Sequence, residues 1–332
     1  MDCKMRYLML ILPLLMFEGD AGTTEYRTPN FLVICRDASL AIQIGEAAEY
    51  YRDKQSREWL GESIPNWYSP CPIRVSVTND VGGGATTFSF DRGEVFGWDM
   101  QILGTRQRLL DSMLPHEVLH TVFASHFRRP LPRWADEGAA TYVEHESEKN
   151  NLRLIAREVV GTEQQIPIRK LLVMQDYPGN MEGVAVLYAQ GFYFSEFLIN
   201  QKGKQEFVKF LESAHRSNWD HAFETHYGFR SQEAAYTAAY RETSSQEAAS
   251  RYQITMFTGP NCRKCEEDRR KVLPALKAKG LIVKILDYDR NIDLARKENI
   301  IGLPTYIIYE NGKRIAKLRE SQAISSLLKR RH

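Results

Sequence analysis

Leu114-Pro115-His116-Glu117-Val118-Leu119-His120, followed after a proline-bounded gap by Pro132-Arg133-Trp134-Ala135-Asp136-Glu137-Gly138-Ala139-Ala140, decides how this chain reads. Pro115 suits the first turn of a helix, where a missing N–H costs nothing. The spacing predicts a helix over 114–127 and, beyond a loop forced by Pro130 and Pro132, a second from Arg133 to about His145. Histidines four residues apart on a helix present both imidazoles on one face. Neutral imidazoles one turn apart can share a Zn²⁺ ion, and a catalytic zinc needs a third protein ligand and an open position. Glu137, on the next helix, is the candidate third ligand. Glu117, beside the histidines, is placed to take a proton from a water that the metal activates.

Upstream, residues 31–34 read as a strand, 38–59 as a helix and 73–77 as an alternating strand. Gly82-Gly83-Gly84 reads as a turn, and 86–98 as extended structure that could edge a cleft. Downstream, helices are expected at 182–200, 203–215, 219–227 and 231–241. Residues 243–250 are polar and rich in Ser, Gln and Ala, and read as a linker. The periodicity then changes to strand, helix, strand, helix, strand, strand, helix over 253–329, the order of a small α/β domain.

The His-Glu-x-x-His run with the Trp-x-x-Glu-Gly-x-Ala block resembles the gluzincin metallopeptidases, among them thermolysin-like enzymes and zinc aminopeptidases. The closer resemblance is to bacterial "peptidase MA-like" domains, over about 31–241. It implies zinc held by His116, His120 and Glu137, with Glu117 as general base and a peptide or protein as substrate. Two departures stand out. The gap from His120 to Glu137 is short, so the loop between them must be tight. The position one turn beyond Glu137, where thermolysin-like enzymes carry a carboxylate that orients a histidine, is Thr141; Asp136 and Asp111 are the carboxylates nearby. The run Leu187-Tyr188-Ala189-Gln190-Gly191-Phe192-Tyr193-Phe194 resembles the family's downstream tyrosine-bearing helix. That resemblance implies Tyr188, with Tyr193 in reserve, as the group that stabilises the oxyanion; a core aromatic is the other reading of either. His126, His145, His215, His221 and His226 lack such partners and read as surface or capping residues.

Thr258-Gly259-Pro260-Asn261-Cys262-Arg263-Lys264-Cys265 follows a strand and opens a helix. A thiol at a helix N-terminus beside Arg263 and Lys264 is favoured as thiolate, which makes Cys262 the attacking group and Cys265 the resolving one. With Gly302-Leu303-Pro304-Thr305 before the third strand, residues 252–331 resemble the thioredoxin/glutaredoxin family. The resemblance implies a cis Pro304 facing the cysteines and a disulfide-bonded protein or redox partner. Asn261 replaces the usual Trp, and Arg-Lys the usual Gly-Pro. A structural disulfide or half of a metal site is the alternative, although no second cysteine pair exists to complete a four-cysteine zinc site.

The remaining features fit export. Lys4 and Arg6 precede an apolar run over 8–17, and Gly19-Asp20-Ala21 has the pattern of a signal-peptidase site, with cleavage after Ala21. A fortuitously apolar start or an uncleaved anchor is the alternative. No other segment is apolar enough to cross a membrane. Cys35 and Cys71 are then either a structural disulfide or two buried thiols. The net charge of +2 favours neither nucleic acid nor acidic substrates. The expected layout is a signal over 1–21, an α+β zincin-like metallopeptidase domain over 22–242, mostly helical after a small N-terminal sheet, a linker over 243–251 and a small α/β thioredoxin-fold domain over 252–332. The expected place is outside the cell, in the periplasm or in the cell envelope. A zinc peptidase with an appended redox domain is the first functional reading. A thiol–disulfide oxidoreductase whose peptidase-like domain only binds a partner is the second, and a binding module without turnover the third.

Overall fold

The computed structural model describes residues 22–79, 82–248, 252–260, 262–278, 282–310, 313–319, 321 and 324. The expected signal segment, Asn261 and nearly all of the last expected helix lie outside them. The chain divides into two compact units, Met1–Thr237 and Ala238–His332.

The first unit begins with β1 (Thr24–Arg27), β2 (Phe31–Cys35), α1 (Ala38–Leu60), β3 (Cys71–Val77), β4 (Gly83–Asp91) and β5 (Glu94–Gly104). These strands form one sheet in the order β1-β2-β3-β5-β4. β2, β3 and β5 run parallel, while β1 and β4 pair antiparallel to their neighbours at the two edges. The Gly-rich run read as a turn contributes Gly83 and Gly84 to β4, and the extended stretch after it is a hairpin of two strands. Phe31 faces Cys71 in the parallel register. Cys35 therefore lies four residues along from Cys71's partner, about 13 Å at strand spacing. A disulfide cannot span that, and both cysteines are buried free thiols.

Helices follow: α2 (Arg106–Arg108), a π-helical turn (Leu109–Met113), α3 (Leu114–Phe127), α4 (Arg133–Tyr142), α5 (Glu146–Val159), α6 (Ile168–Leu171), α7 (Met181–Lys202), α8 (Lys204–Arg216), α9 (Trp219–Tyr227) and α10 (Gln232–Ala248). The second expected helix stops at Tyr142, and His145 instead caps α5, its ring nitrogen accepting from the Ser147 amide at 3.2 Å. α10 continues through Thr243 to Ala248, so that part of the expected linker is helical; nothing in its sequence breaks a helix. β1, α5 and α6 carry weak sequence signals and were not expected. Trp59, Phe123, Trp134, Phe194, Phe207, Phe210 and Phe223 are buried completely or almost so and pack edge-to-face or tilted through the helical layer.

The second unit holds β6 (Tyr252–Thr258), α11 (Arg263–Ala278), β7 (Ile282–Asp287), α12 (Ile292–Lys297), β8 (Thr305–Glu310) and β9 (Lys313–Leu318). Its sheet order is β7-β6-β8-β9, with β6 and β7 parallel and β8 antiparallel to both its neighbours. This is the strand–helix alternation expected from the sequence. No helix among the described residues is long and apolar enough to cross a membrane.

Candidate functional site

Five consecutive π-helical residues precede α3 without breaking the helical path. The Tyr51 hydroxyl donates to the Leu110 carbonyl at 2.9 Å, and the Gln55 amide to the Pro115 carbonyl at 2.8 Å, so α1 clamps the start of α3. α3 is buried almost throughout, and from it His116, Glu117 and His120 project toward α4 and the edge strand β4.

His116, His120 and Glu137 each direct one ligand atom to a common point, all within 4.8 Å of one another. Glu137 Oε2 lies 3.5 Å from His116 Nε2 and 3.6 Å from His120 Nε2. A tetrahedral ion at ordinary zinc–ligand lengths separates its donors by about 3.3 Å. His116 Nε2 and Glu137 Oε2 are buried with no hydrogen-bond partner. An unsatisfied buried polar atom is costly. A cation at their centre would satisfy both. The buried trio can hold a metal ion.

Carboxylates fix both histidines. His116 Nδ1 sits 2.6 Å from Glu144 Oε1 and His120 Nδ1 2.9 Å from Asp136 Oδ1. An ionised carboxylate only accepts, so each Nδ1 carries a proton and each Nε2, which faces Glu137, is the atom that would bind a metal. Burial pushes the His116 imidazole down, but the Glu137 and Glu144 carboxylates outweigh it and hold His116 well above the ordinary histidine range. For His120, too, burial is overcome, here by Asp136 and Glu137. Burial pushes Glu137 up, while His120, His116 and Arg133 bring it below its ordinary range. Asp136 is thus the orienting group for one histidine, and Glu144, just after the end of α4, serves the other. Asp111 is bonded instead by Ser112.

Glu117 is 1% exposed. Its Oε2 accepts from the Thr86 hydroxyl of β4 at 2.6 Å. Burial pushes its carboxyl up, with His116 and His120 only partly offsetting this. A Cβ built on Gly84 would stand 2.2 Å from Glu117 Oε1, so β4 passes at a distance that only glycine permits. A cleft of about 270 Å³ opens beside the site, lined among others by Gly84, His116, Glu117, Leu152, Val184 and Tyr188.

Tyr188 lies on α7 at this cleft, and its buried hydroxyl makes no hydrogen bond. Burial, Glu137 and neighbouring Tyr177 push its phenol well above the usual range. Tyr193, five residues along α7, is on another face of that helix. Tyr177, which no motif marked, stacks parallel to Tyr188 with ring centroids 6.3 Å apart and donates its hydroxyl to Glu137 Oε1.

In the second unit Cys262 and Cys265 are joined as a disulfide, Cα atoms 5.2 Å apart. Cys262 is half-buried and Cys265 only 1% exposed. The Cys265 amide donates to Cys262 Sγ at 3.2 Å, and the Cys262 carbonyl accepts the first helical bond of α11 from Glu266. The Leu303–Pro304 peptide is cis, as the resemblance implied. Cys265 packs with Ile254, Met256, Tyr306 and Ile308, and Cys262 and Leu303 border that cluster.

No family model matches the chain, and no curated protein matches it either. Among solved structures, a mutant thioredoxin from Halobacterium salinarum is 18% identical over 27% of this chain and 82% of its own, with a TM-score of 0.23. An oxidised thioredoxin from Plasmodium falciparum is 20% identical over 26% of this chain and 89% of its own, TM-score 0.22. Fasciola hepatica thioredoxin is 22% identical over 28% and 92%, TM-score 0.24. These partial likenesses add no more than the name of a fold. The reading of the second unit rests on its own strand order and cysteine pair, and that of the first on its residues alone.

Proposed function

We propose that the chain joins a thiol–disulfide exchange unit to a zinc-dependent peptidase unit. The redox half is supported by the pairing of a half-buried Cys262, at the mouth of α11, with a buried Cys265. The reduced Cys262 thiolate attacks one sulfur of a partner's disulfide, which releases the partner's other sulfur as a thiol. Cys265 then attacks Cys262 Sγ and releases the partner's first sulfur, leaving the Cys262–Cys265 disulfide and a reduced partner. The backbone N–H aimed at Cys262 Sγ and the positive end of α11 both favour the thiolate. Leu303, joined to Pro304 by the cis peptide, borders the cluster that holds Cys265.

The hydrolytic half is carried by one observation: buried, unpartnered His116 Nε2 and Glu137 Oε2 converge with His120 Nε2. A zinc ion held there supplies the Lewis acidity that lowers the pKa of water and polarises a carbonyl. Asp136 and Glu144 hold the imidazoles in the ligating tautomer. Glu117, tethered by Thr86 at the cleft, takes the proton from water and hands it to the departing amine. Tyr188 offers its phenol to the developing oxyanion. The expected substrate is an extended segment of a protein chain.

The test is the Glu117→Gln variant. It is expected to keep its zinc and to lose at least about 10²–10⁴-fold in cleavage of an unfolded protein. If cleavage persists at the wild-type rate, the metal unit is a binding module and the redox reading stands alone.

A further inference from the structure

Resting on the metal-binding reading of His116, His120 and Glu137, we propose that Tyr177, locked by the buried Arg133, is the positioning residue that makes Glu137 a single-oxygen ligand. Tyr177 lies outside every sequence motif, on the segment before α7. Arg133, at the start of α4, is 3% exposed. Its Nε donates to the Gln175 carbonyl at 2.9 Å and its Nη1 to the Tyr177 oxygen at 3.2 Å, while its guanidinium lies 4.3 Å from the Tyr177 ring centroid.

Direction in this chain of bonds is forced. A guanidinium can only donate, so the Tyr177 oxygen accepts from Arg133. A carboxylate can only accept, so the Tyr177 proton goes to Glu137 Oε1. One Glu137 oxygen is thereby occupied by a phenol. The other, Oε2, is left without a partner and aimed at the two histidines. Arg133 Nη1 also stands 3.7 Å from Glu137 Oε1, on the same side as the phenol. The carboxylate therefore presents two unlike faces. Oε1 meets the phenol and the buried cation, and Oε2 the site where the ion belongs. Without the phenol, Oε1 loses its hydrogen bond and keeps the Arg133 guanidinium 3.7 Å away, so the carboxylate can turn both oxygens to the metal or swing toward Arg133.

The geometry also explains why Arg133 is buried beside the metal-binding trio. It neutralises charge on the far side of Glu137 and Asp136 and keeps Tyr177 in a single orientation. Tyr188 stacks behind Tyr177 and lines the cleft.

The experiment compares wild type, Tyr177→Phe and Arg133→Met. Zinc affinity is measured by chelator competition, and the visible spectrum is recorded with cobalt in place of zinc. The expected result is a loss of about 10- to 100-fold in zinc affinity for Tyr177→Phe, the usual cost of removing a group that orients a ligand. Its cobalt form should absorb more weakly, as a bidentate carboxylate raises the coordination number. Arg133→Met should change the spectrum in the same sense. Unchanged affinity and an unchanged cobalt spectrum in folded Tyr177→Phe would overturn the proposal while leaving the metal site intact. Wild-type protein that binds neither ion overturns both. If Arg133→Met fails to fold, Tyr177→Phe, which removes one oxygen from a ring that stays packed on Tyr188, still decides the question.

Discussion

Glu117 and the glycine opposite it set the tightest constraint in the site. A methyl group at Gly84 would fall 2.2 Å from a Glu117 oxygen, so Gly84→Ala must push either β4 or the carboxylate away. The three atoms nearest a methyl group there all belong to Glu117, not to a candidate ligand. The variant is therefore expected to retain zinc and to lose hydrolysis by an amount approaching that of Glu117→Gln; retained activity would show that Glu117 is not the working base. The histidines respond differently. Asp136→Asn and Glu144→Gln leave the ligands in place but replace a carboxylate, which only accepts and so selects their tautomer, by an uncharged amide that can also donate. Each should lower zinc affinity about 10- to 100-fold by chelator competition, and equal affinity in all three proteins would contradict the geometry.

At the scale of elements, the site depends on how closely α4 and α7 approach. A Cβ on Gly138 would come 2.5 Å from the Gly191 carbonyl oxygen, and one on Gly191 2.9 Å from Trp134 Cα. Ser195 Oγ, 2.3 Å from that Gly138 Cβ, could move aside, but the backbone atoms of Gly191 and Trp134 cannot. Gly138→Ala should therefore destabilise the unit by about 1–3 kcal/mol, the usual cost of overpacking, and displace adjacent Glu137. Differential scanning calorimetry with metal analysis checks both. α5 supplies a prediction about pH. Burial pushes the Glu146 carboxyl up, but hydrogen bonds from Arg153 and Lys149 outweigh it and hold it at about 2. A depressed carboxyl stabilises above its unfolded value near 4.5, and that contribution fades as pH falls toward 2. Glu146→Gln should melt below wild type at pH 7, and the gap should close with acidification through that window. Glu146 is well exposed, so solvent screening limits the effect to about 0.2–1 kcal/mol. The same elements show what was legible beforehand. His116, Glu117, His120 and Glu137 announce themselves because local spacing on α3 and α4 carries the chemistry. Tyr177 and Glu144 do not: each reaches the site from a turn whose position depends on packing between distant segments. Gly83 and Gly84 read as a turn because glycine's freedom is the commoner reason for its use. Here the reason is the space beside Glu117, which no local pattern encodes.

At the scale of the whole molecule, the candidate metal ligands among the described residues belong to the first compact unit and the Cys262–Cys265 disulfide to the second. Replacing both Cys262 and Cys265 by Ser should leave zinc content unchanged, and a fall in bound metal would show that the cysteines take part in the metal site. If the units act in sequence, with the thiol pair opening a disulfide before the peptidase cuts, Cys262→Ser protein should cleave a disulfide-bonded substrate more slowly than wild type does. Equal rates would separate the two functions. The hydrolytic half depends on the claim that His116, His120 and Glu137 together hold a metal. Elemental analysis of purified wild-type protein beside Glu137→Ala tests that claim most directly. The expected result is one zinc ion per wild-type chain and a large loss in the variant, with the fold retained by circular dichroism. A wild-type chain without metal, or a Glu137→Ala chain that keeps its zinc, would contradict it.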